Sequence, residues 1–461
     1  MKISIVEKKK FKNNNFAKVL FSDKIPENRM LLSGGLVTLE IKIPEKKKIN
    51  FRQATIIARK IVAFAKINRI KKLALDWNIV KSLKLGEEQL IAETFGINFE
   101  MANYEFVSFK TAPKEGWNFV EEIAVVVDGK NNLKKSLEKG QLIGQHVNMC
   151  RELANTPGSN MTPQILVAEI KKAIKNTGIK MKVLDEKKMK KLGMNAVLAV
   201  AQGSKEKPRF IVLEYGNSNK EKPIVLIGKG VTFDSGGLNI KTYMTGMNMD
   251  MSGGAAVAHT IILAAKLKLK KKIVAIIPAV ESMPSGESLR PCDVIKSMSG
   301  KTIEVQDTDA EGRIILADAN TFAERLNPRL VVDVATLTGA ASVALGERAS
   351  AILTKDEKFS DLLRKLGEES GDYVWPLPLW DEYEEEIKGA NGDVCNIRNR
   401  AETREGGTIL GAMFIYQFAK KFPIWAHIDI APRMTAVYDE FLTQGAAGTP
   451  VRLLIKLLEK F

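Results

Sequence analysis

Cysteine is scarce in this 461-residue chain: Cys150, Cys292 and Cys395 lie far apart, and none falls in a Cys-x-x-Cys spacing. That excludes a disulfide framework and fits a reducing compartment. Histidine is equally scarce. His146, His259 and His427 are scattered, with no i, i+4 pair of the kind a helical zinc motif needs, so each is expected to be structural and any metal must be held mainly by carboxylates. No apolar run is long enough to span a bilayer. The first seven residues pass into Lys8-Lys9-Lys10 rather than into an apolar stretch with a small-residue cleavage site. A cytoplasmic chain without a membrane segment is expected.

Acidic residues are outnumbered, giving a formal charge of +16. The excess is spread over short lysine runs such as 46–48 and 270–272, which read as solvated faces. There is no C2H2 pattern, no aromatic RNP-like segment and no basic region leading into heptads. Nucleic acid is therefore expected only as an accessory partner of the basic surface.

What is present is ordinary globular usage, 45% apolar and 27% charged, over a length that implies two compact units. Strand-like runs at 36–43 and 123–127 flank a helical pattern at 52–67, which predicts a small N-terminal α/β domain over 1–140. A linking helix over about 132–154 stops at Asn155-Thr156-Pro157-Gly158. The larger domain, 141–461, carries strand-like runs at 182–184, 210–214, 224–227, 273–279 and 330–335 separated by helical segments. Strands alternating with helices predict a mainly parallel central sheet flanked by helices, with its site at the carboxyl ends of the strands.

Three glycine-flanked acidic turns carry the chemistry. The strand 224–227 runs into Gly228-Lys229-Gly230-Val231-Thr232-Phe233-Asp234-Ser235-Gly236-Gly237. A second turn delivers Asp250 ahead of Ser252-Gly253-Gly254 and a helical run. A third, Asp307-Thr308-Asp309-Ala310-Glu311-Gly312-Arg313, follows the strand-like Ile303-Glu304-Val305; Asp309 and Glu311 are expected to project together from an extended strand end, with Arg313 in the first turn of a helix. One Asp-x-Glu pair is more often a solvated loop than a site, but three such turns in one domain are less easily dismissed. Clustered carboxylates repel one another unless divalent cations neutralise them, and two cations sharing them would activate a water and polarise a carbonyl. Lys229 and Lys241 would then be either ligands or oxyanion stabilisers. The GxxxxGK[ST] phosphate loop is not met, because Pro223 and Gly230 occupy key positions.

These residues resemble the leucyl aminopeptidase family of metallopeptidases, family M17, whose signature is close to Asn-Thr-Asp-Ala-Glu-Gly-Arg-Leu and here stands as 307–314. The resemblance extends through 228–237, Val334-Ala335-Thr336-Leu337-Thr338-Gly339-Ala340, Trp375-Pro376-Leu377-Pro378-Leu379-Trp380, Trp425-Ala426-His427-Ile428-Asp429-Ile430-Ala431 and Asn155-Thr156-Pro157. It covers essentially everything after residue 145. It implies a two-metal aminopeptidase acting on peptides, leucine among the residues released, by a metal-bridging water or hydroxide with bicarbonate as general base. Lys229, Asp234, Asp250 and Glu311 would hold the tighter ion, and Asp234, Asp309 and Glu311 the more exchangeable one. The ions would be Zn2+ or Mn2+, with Co2+ or Mg2+ as alternatives. Lys241 would polarise the scissile carbonyl, and Arg313 would hold the bicarbonate. Thr336, Leu337 and Gly339 would line the cleft, Leu337 and Gly339 through backbone hydrogen bonds. The family's homo-hexamer is implied as well.

Two departures stand out: Asp307 replaces the usual Asn, and the loop 241–250 is a little short for the family. The methionines of that loop help shape the first specificity pocket, although for Met247 and Met249 core packing and substrate contact remain alternatives. Two rival readings are a carboxylate-metal phosphohydrolase and a DNA-binding protein, tested by phosphate-ester turnover and by salt-dependent retention on DNA.

Overall fold

A computed structural model describes residues 1–461 except 13–14, 130–131, 217–220 and 400–404. The chain forms two compact units, residues 1–148 with 436–444, and residues 149–435 with 445–461. The division falls inside the helix Leu133–Asn155.

The first unit is a six-stranded sheet in the order Lys2–Glu7, Glu122–Val127, Lys72–Asp76, Ala17–Ser22, Leu36–Lys42, Arg29–Ser33, parallel except for the last pair. Its helix Phe51–Ile67 buries Ala54, Ile57, Ala58, Ile61, Val62 and Ala65, the i, i+3, i+4 stripe of a helix that covers a sheet. None of the candidate residues belongs to this unit.

The second unit is built on a nine-stranded, mainly parallel sheet. Its order is Val374–Pro376, Ser350–Leu353, Trp425–Asp429, Leu330–Ala335, Ile224–Gly228, Ile273–Ser282, Arg209–Tyr215, Lys180–Leu184, with Gly230–Asp234 pairing beside Ile273–Ser282. Every residue of Trp425–Asp429, Leu330–Ala335 and Ile224–Gly228 is buried, as strands covered on both faces must be. Val225, Ile227, Val274 and Ile276 share one core cluster with Ile314, Ile315, Leu316 and Ala323 of the helix Glu311–Glu324. The almost wholly buried helix Ser252–Lys266 packs on the same strands from the other face. Asp318 ties the first helix to its surroundings by accepting from the backbone N–H groups of Ala196, Val197 and Met298 at 2.9, 3.1 and 2.8 Å. Parallel pairing brings the carboxyl ends of Ile224–Gly228, Leu330–Ala335 and Trp425–Asp429 to one edge of the sheet.

Candidate metal centre and peptide cleft

That edge receives the three acidic turns. Lys229 sits between the strands Ile224–Gly228 and Gly230–Asp234, its N–H donating to Val334 O at 2.9 Å and its carbonyl accepting from Gly254 N at 2.7 Å. The helix Ser252–Lys266 starts so close to the strand ends that a Cβ on Gly228 would stand 2.4 Å from Gly253 O, and one on Gly253 would stand 2.2 Å from Val334 O. Only glycine tolerates such an approach. It places Asp250, in the short 3-10 helix Met247–Met251, directly over Lys229.

The third turn differs from its expected form. Asp309 does not lie on an extended strand, and Glu311 is the first residue of the helix Glu311–Glu324. The Asp307 side chain accepts from Asp309 N at 2.9 Å and Ala310 N donates to Asp307 O at 3.2 Å, so a side-chain-capped turn wins over the strand. Arg313 does stand in the first helical turn.

Among the described residues, Asp234, Asp250 and Glu311 offer one ligand oxygen each, all within 4.8 Å of one another, and all three side chains are buried. Lys229 Nζ lies 2.8 Å from both Asp250 Oδ2 and Glu311 Oε1 and donates to Thr336 O at 2.9 Å. Lys241 Nζ lies 2.8 Å from Asp234 Oδ2 and also contacts Asp309 Oδ1. The geometry thus brings all five proposed ligands and Lys241 into one network. Asp250 Oδ2, Asp309 Oδ1 and Glu311 Oε1 are buried oxygens that each face one of these two lysine ammonium groups. Buried carboxylates that converge this closely repel one another, and a cation-binding role is the chemistry that fits them.

Burial pushes the Asp234 carboxyl up to about 7, with the Glu311 charge adding to it against Lys229 and Lys241. Burial also raises Asp250 well above the usual range and raises Asp309. Glu311 is held low because Lys229 and Lys241 outweigh its burial. Burial by itself would lower both lysines; Asp250, Glu311 and Asp234 reverse this for Lys229, and Asp234 and Glu311 for Lys241, so both are held above the ordinary lysine value. Carboxylates that resist ionising beside lysines held charged form a site that a divalent ion would reorganise.

Several supporting residues escaped the sequence reading. Thr336, expected in the cleft wall, donates its hydroxyl to Asp250 Oδ1 at 2.6 Å and so orients a proposed ligand. Asp429 accepts from Leu337 N at 3.0 Å, Ala431 N at 3.1 Å and Thr338 Oγ1 at 2.7 Å, fixing the strand-to-helix turn before Gly339–Leu345. Leu337 therefore has only its carbonyl to offer a peptide. Gly339, first in its helix, has an N–H ahead of the intrahelical ladder. Thr308 Oγ1 donates to Gly236 O at 2.7 Å and accepts from Asn239 N at 2.8 Å, tying the first turn to the third. Asn396 braces the third turn from 89 residues away, accepting from Gln306 N at 2.8 Å and donating to Asp307 O at 2.6 Å. Arg313 Nη1 donates to Asn396 O at 2.8 Å, while its buried Nε has no acceptor among the described residues.

A cavity of about 700 Å³ opens over the cluster, lined by Lys229, Asp234, Lys241, Met247, Asp250, Asp309, Thr336, Leu337, Gly339 and Met434 among others. Met247 faces this space, whereas Met249 is buried and does not line it. The histidines stay out of the cluster. His427 pairs through Nδ1 with buried Asp333, which also accepts from Trp425 Nε1 at 2.7 Å.

Residues 148–455 match the cytosol aminopeptidase family, catalytic domain. A probable cytosol aminopeptidase of Geobacter sp. (strain M21) is 37% identical over 95% of this chain and 87% of the relative. One from Syntrophotalea carbinolica is 43% identical over 78% of this chain and 73% of the relative. Among solved structures, the bottromycin maturation enzyme BotP superposes with a TM-score of 0.86 at 28% identity, covering 97% of this chain and 99% of that one. A second BotP structure, in complex with Mn, gives a TM-score of 0.84 at 28% identity, covering 96% of this chain and 98% of that one. Among the described residues, no helix is long and apolar enough to cross a membrane.

Proposed function

The chain belongs to the cytosol aminopeptidase family of metallo-exopeptidases, and from that premise we propose a two-metal aminopeptidase that releases leucine and other N-terminal residues from peptides. The observation that carries the metal reading is the buried Asp234, Asp250 and Glu311 set, whose ligand oxygens lie within 4.8 Å of one another. Lys229, Asp234, Asp250 and Glu311 would hold one divalent ion, and Asp234, Asp309 and Glu311 the other. Bound there, Mn2+ or Zn2+, with Co2+ or Mg2+ as alternatives, would supply Lewis acidity to the scissile carbonyl and to water.

The chain's own groups supply the rest. Thr336 orients Asp250. Lys241, kept charged by Asp234 and Glu311, would donate to the carbonyl oxygen as negative charge develops on it. Asp429 fixes the 337–339 turn so that the Leu337 carbonyl and Gly339 N–H would align the peptide backbone. Arg313, whose buried Nε has no acceptor among the described residues, would hold bicarbonate, whose chemistry there is that of a general base. Met247 would contact the first side chain.

A cytoplasmic location is proposed with this activity, in keeping with the relatives' description as cytosol aminopeptidases. A homo-hexamer is proposed from the family resemblance. Sedimentation velocity tests it. Activity is tested by stripping the protein of metal, reloading it with each divalent ion and measuring hydrolysis of Leu-p-nitroanilide and leucyl peptides. Failure of every metal-loaded, correctly assembled form to cleave them sinks the proposal, and a Glu311→Ala variant with wild-type turnover sinks the site assignment.

A further inference from the structure

The cavity over the carboxylate cluster continues into a second one of about 980 Å³. The two share Asn239, Lys241, Asp307, Asp309 and the segment 337–339. Met247, Ala431 and Met434 line only the first, and Arg313, Val343, Ile397 and Leu410 line only the second. On the aminopeptidase reading, on which this inference rests, the free amine and first side chain occupy the lobe over the cluster, and Lys241 at the waist faces the scissile carbonyl. The residue after the bond then enters the second lobe.

The charges around that waist are mostly spoken for. Lys241 is paired with Asp234 and Asp309, and Arg398 with Glu386 and Glu405 at 2.9 and 3.1 Å. Arg313 is 7% exposed and is the proposed seat of an anion that would neutralise it. Asp307 is different. One of its oxygens accepts from Asp309 N at 2.9 Å, and its carboxylate makes no ion pair among the described residues. It is only partly buried, it lines both lobes, and it stands where the resembling family carries an uncharged Asn.

We propose that Asp307 makes this enzyme prefer a lysine or arginine immediately after the scissile bond. The long side chain would lay its methylenes on Val343, Ile397 and Leu410 and bring its cation to the Asp307 carboxylate. A charge pair in a partly exposed cleft is worth on the order of 1 kcal/mol, a preference of roughly fivefold.

The test compares kcat/KM of the metal-loaded enzyme on Leu-Lys-amide, Leu-norleucine-amide and Leu-Glu-amide, norleucine being the uncharged match of the lysine stem. The expected order is lysine about fivefold above norleucine, with glutamate lowest, the lysine advantage shrinking as NaCl is raised while the norleucine rate holds. Asp307→Asn keeps the oxygen that accepts from Asp309 N and should bring the lysine-to-norleucine ratio close to one. Turnover of all three amides with no lysine advantage, or with one that salt and Asp307→Asn leave intact, overturns the assignment of Asp307 alone. Turnover of none overturns the aminopeptidase reading itself.

Discussion

The Lys229 side chain runs across the α-carbon of Gly312 so closely that a Cβ there would stand 2.7 Å from its Cε and 2.8 Å from its Cδ and Nζ. The helix that begins with Glu311 thereby forms the floor under the buried ammonium. A methyl group would push Nζ away from Asp250 and Glu311, since Lys229 is enclosed on its other sides. Gly312→Ala should fold, because alanine suits a helix better than glycine. Its metal affinity should nonetheless fall about 10- to 100-fold, as when a ligand's support is lost. Metal content after dialysis, measured beside the far-ultraviolet circular dichroism spectrum, checks both halves.

Metal binding should depend on pH in a defined sense. In the metal-free protein Asp234 titrates near 7, raised by burial and by Glu311. Below that pH an incoming ion must displace its proton, so affinity should fall steeply on acidification, by about tenfold per pH unit for each proton displaced. Calorimetry in buffers of different ionisation heat should find more protons released at pH 6 than at pH 8. The stability sign follows from the same shift: a carboxyl whose folded value is raised contributes stability at low pH that is lost as pH rises through about 7. The metal-free protein should therefore melt lower at pH 8 than at pH 6, and saturating Mn2+ or Zn2+ should remove that difference.

Asp429 is fully buried and satisfies three donors of the cleft wall. Asp429→Ala would strand them and should cost about 3 kcal/mol of stability. Leu337 and Gly339 would lose their fixed positions, so KM should rise more than kcat falls. Asp429→Asn retains an acceptor for the two backbone N–H groups and should recover much of both losses. Thermal melts and steady-state kinetics on a leucyl peptide distinguish the two variants.

Arg313 lies beside the cluster with a buried Nε that no acceptor among the described residues meets. If its task is to hold bicarbonate, Arg313→Ala should retain a residual rate that added bicarbonate alters little, whereas the wild-type rate should rise with bicarbonate. Rates measured in carefully degassed buffer, with and without the salt, make the comparison. An equal response of both proteins removes Arg313 from that role.

Much of the fold and of the candidate site was legible locally. Apolar runs such as Ile224–Ile227, and Leu330–Ala335 apart from Asp333, announce strands covered on both faces, and glycines near Lys229, Asp234 and Asp250 announce backbone that must pass close to something. The turn 307–310 was misread as extended because the competitor is a single side-chain hydrogen bond from Asp309 N to Asp307, which no hydrophobic period reveals. For Met247 and Met249, the sequence alone leaves substrate contact and packing open. The two lie on one short 3-10 helix, with Met247 on the cavity and Met249 buried.

The sequence by itself determined the inventory: carboxylates and lysines in place of histidines and cysteines as metal-site material, turns at strand ends to carry them, and Asp307 as the residue out of pattern. Only the tertiary structure decided which of these share one charge network. Asp234, Asp250 and Glu311 come within 4.8 Å because parallel strands and two helix starts converge on one sheet edge. It also decided the second tier, Thr336 on Asp250, Asp429 on Leu337 and Asn396 on the 307–310 turn, across 86, 92 and 89 residues of sequence. Their spacing follows no local period, because each partner is chosen by the need of a buried donor or acceptor to be satisfied, and that need arises only once the chain has folded.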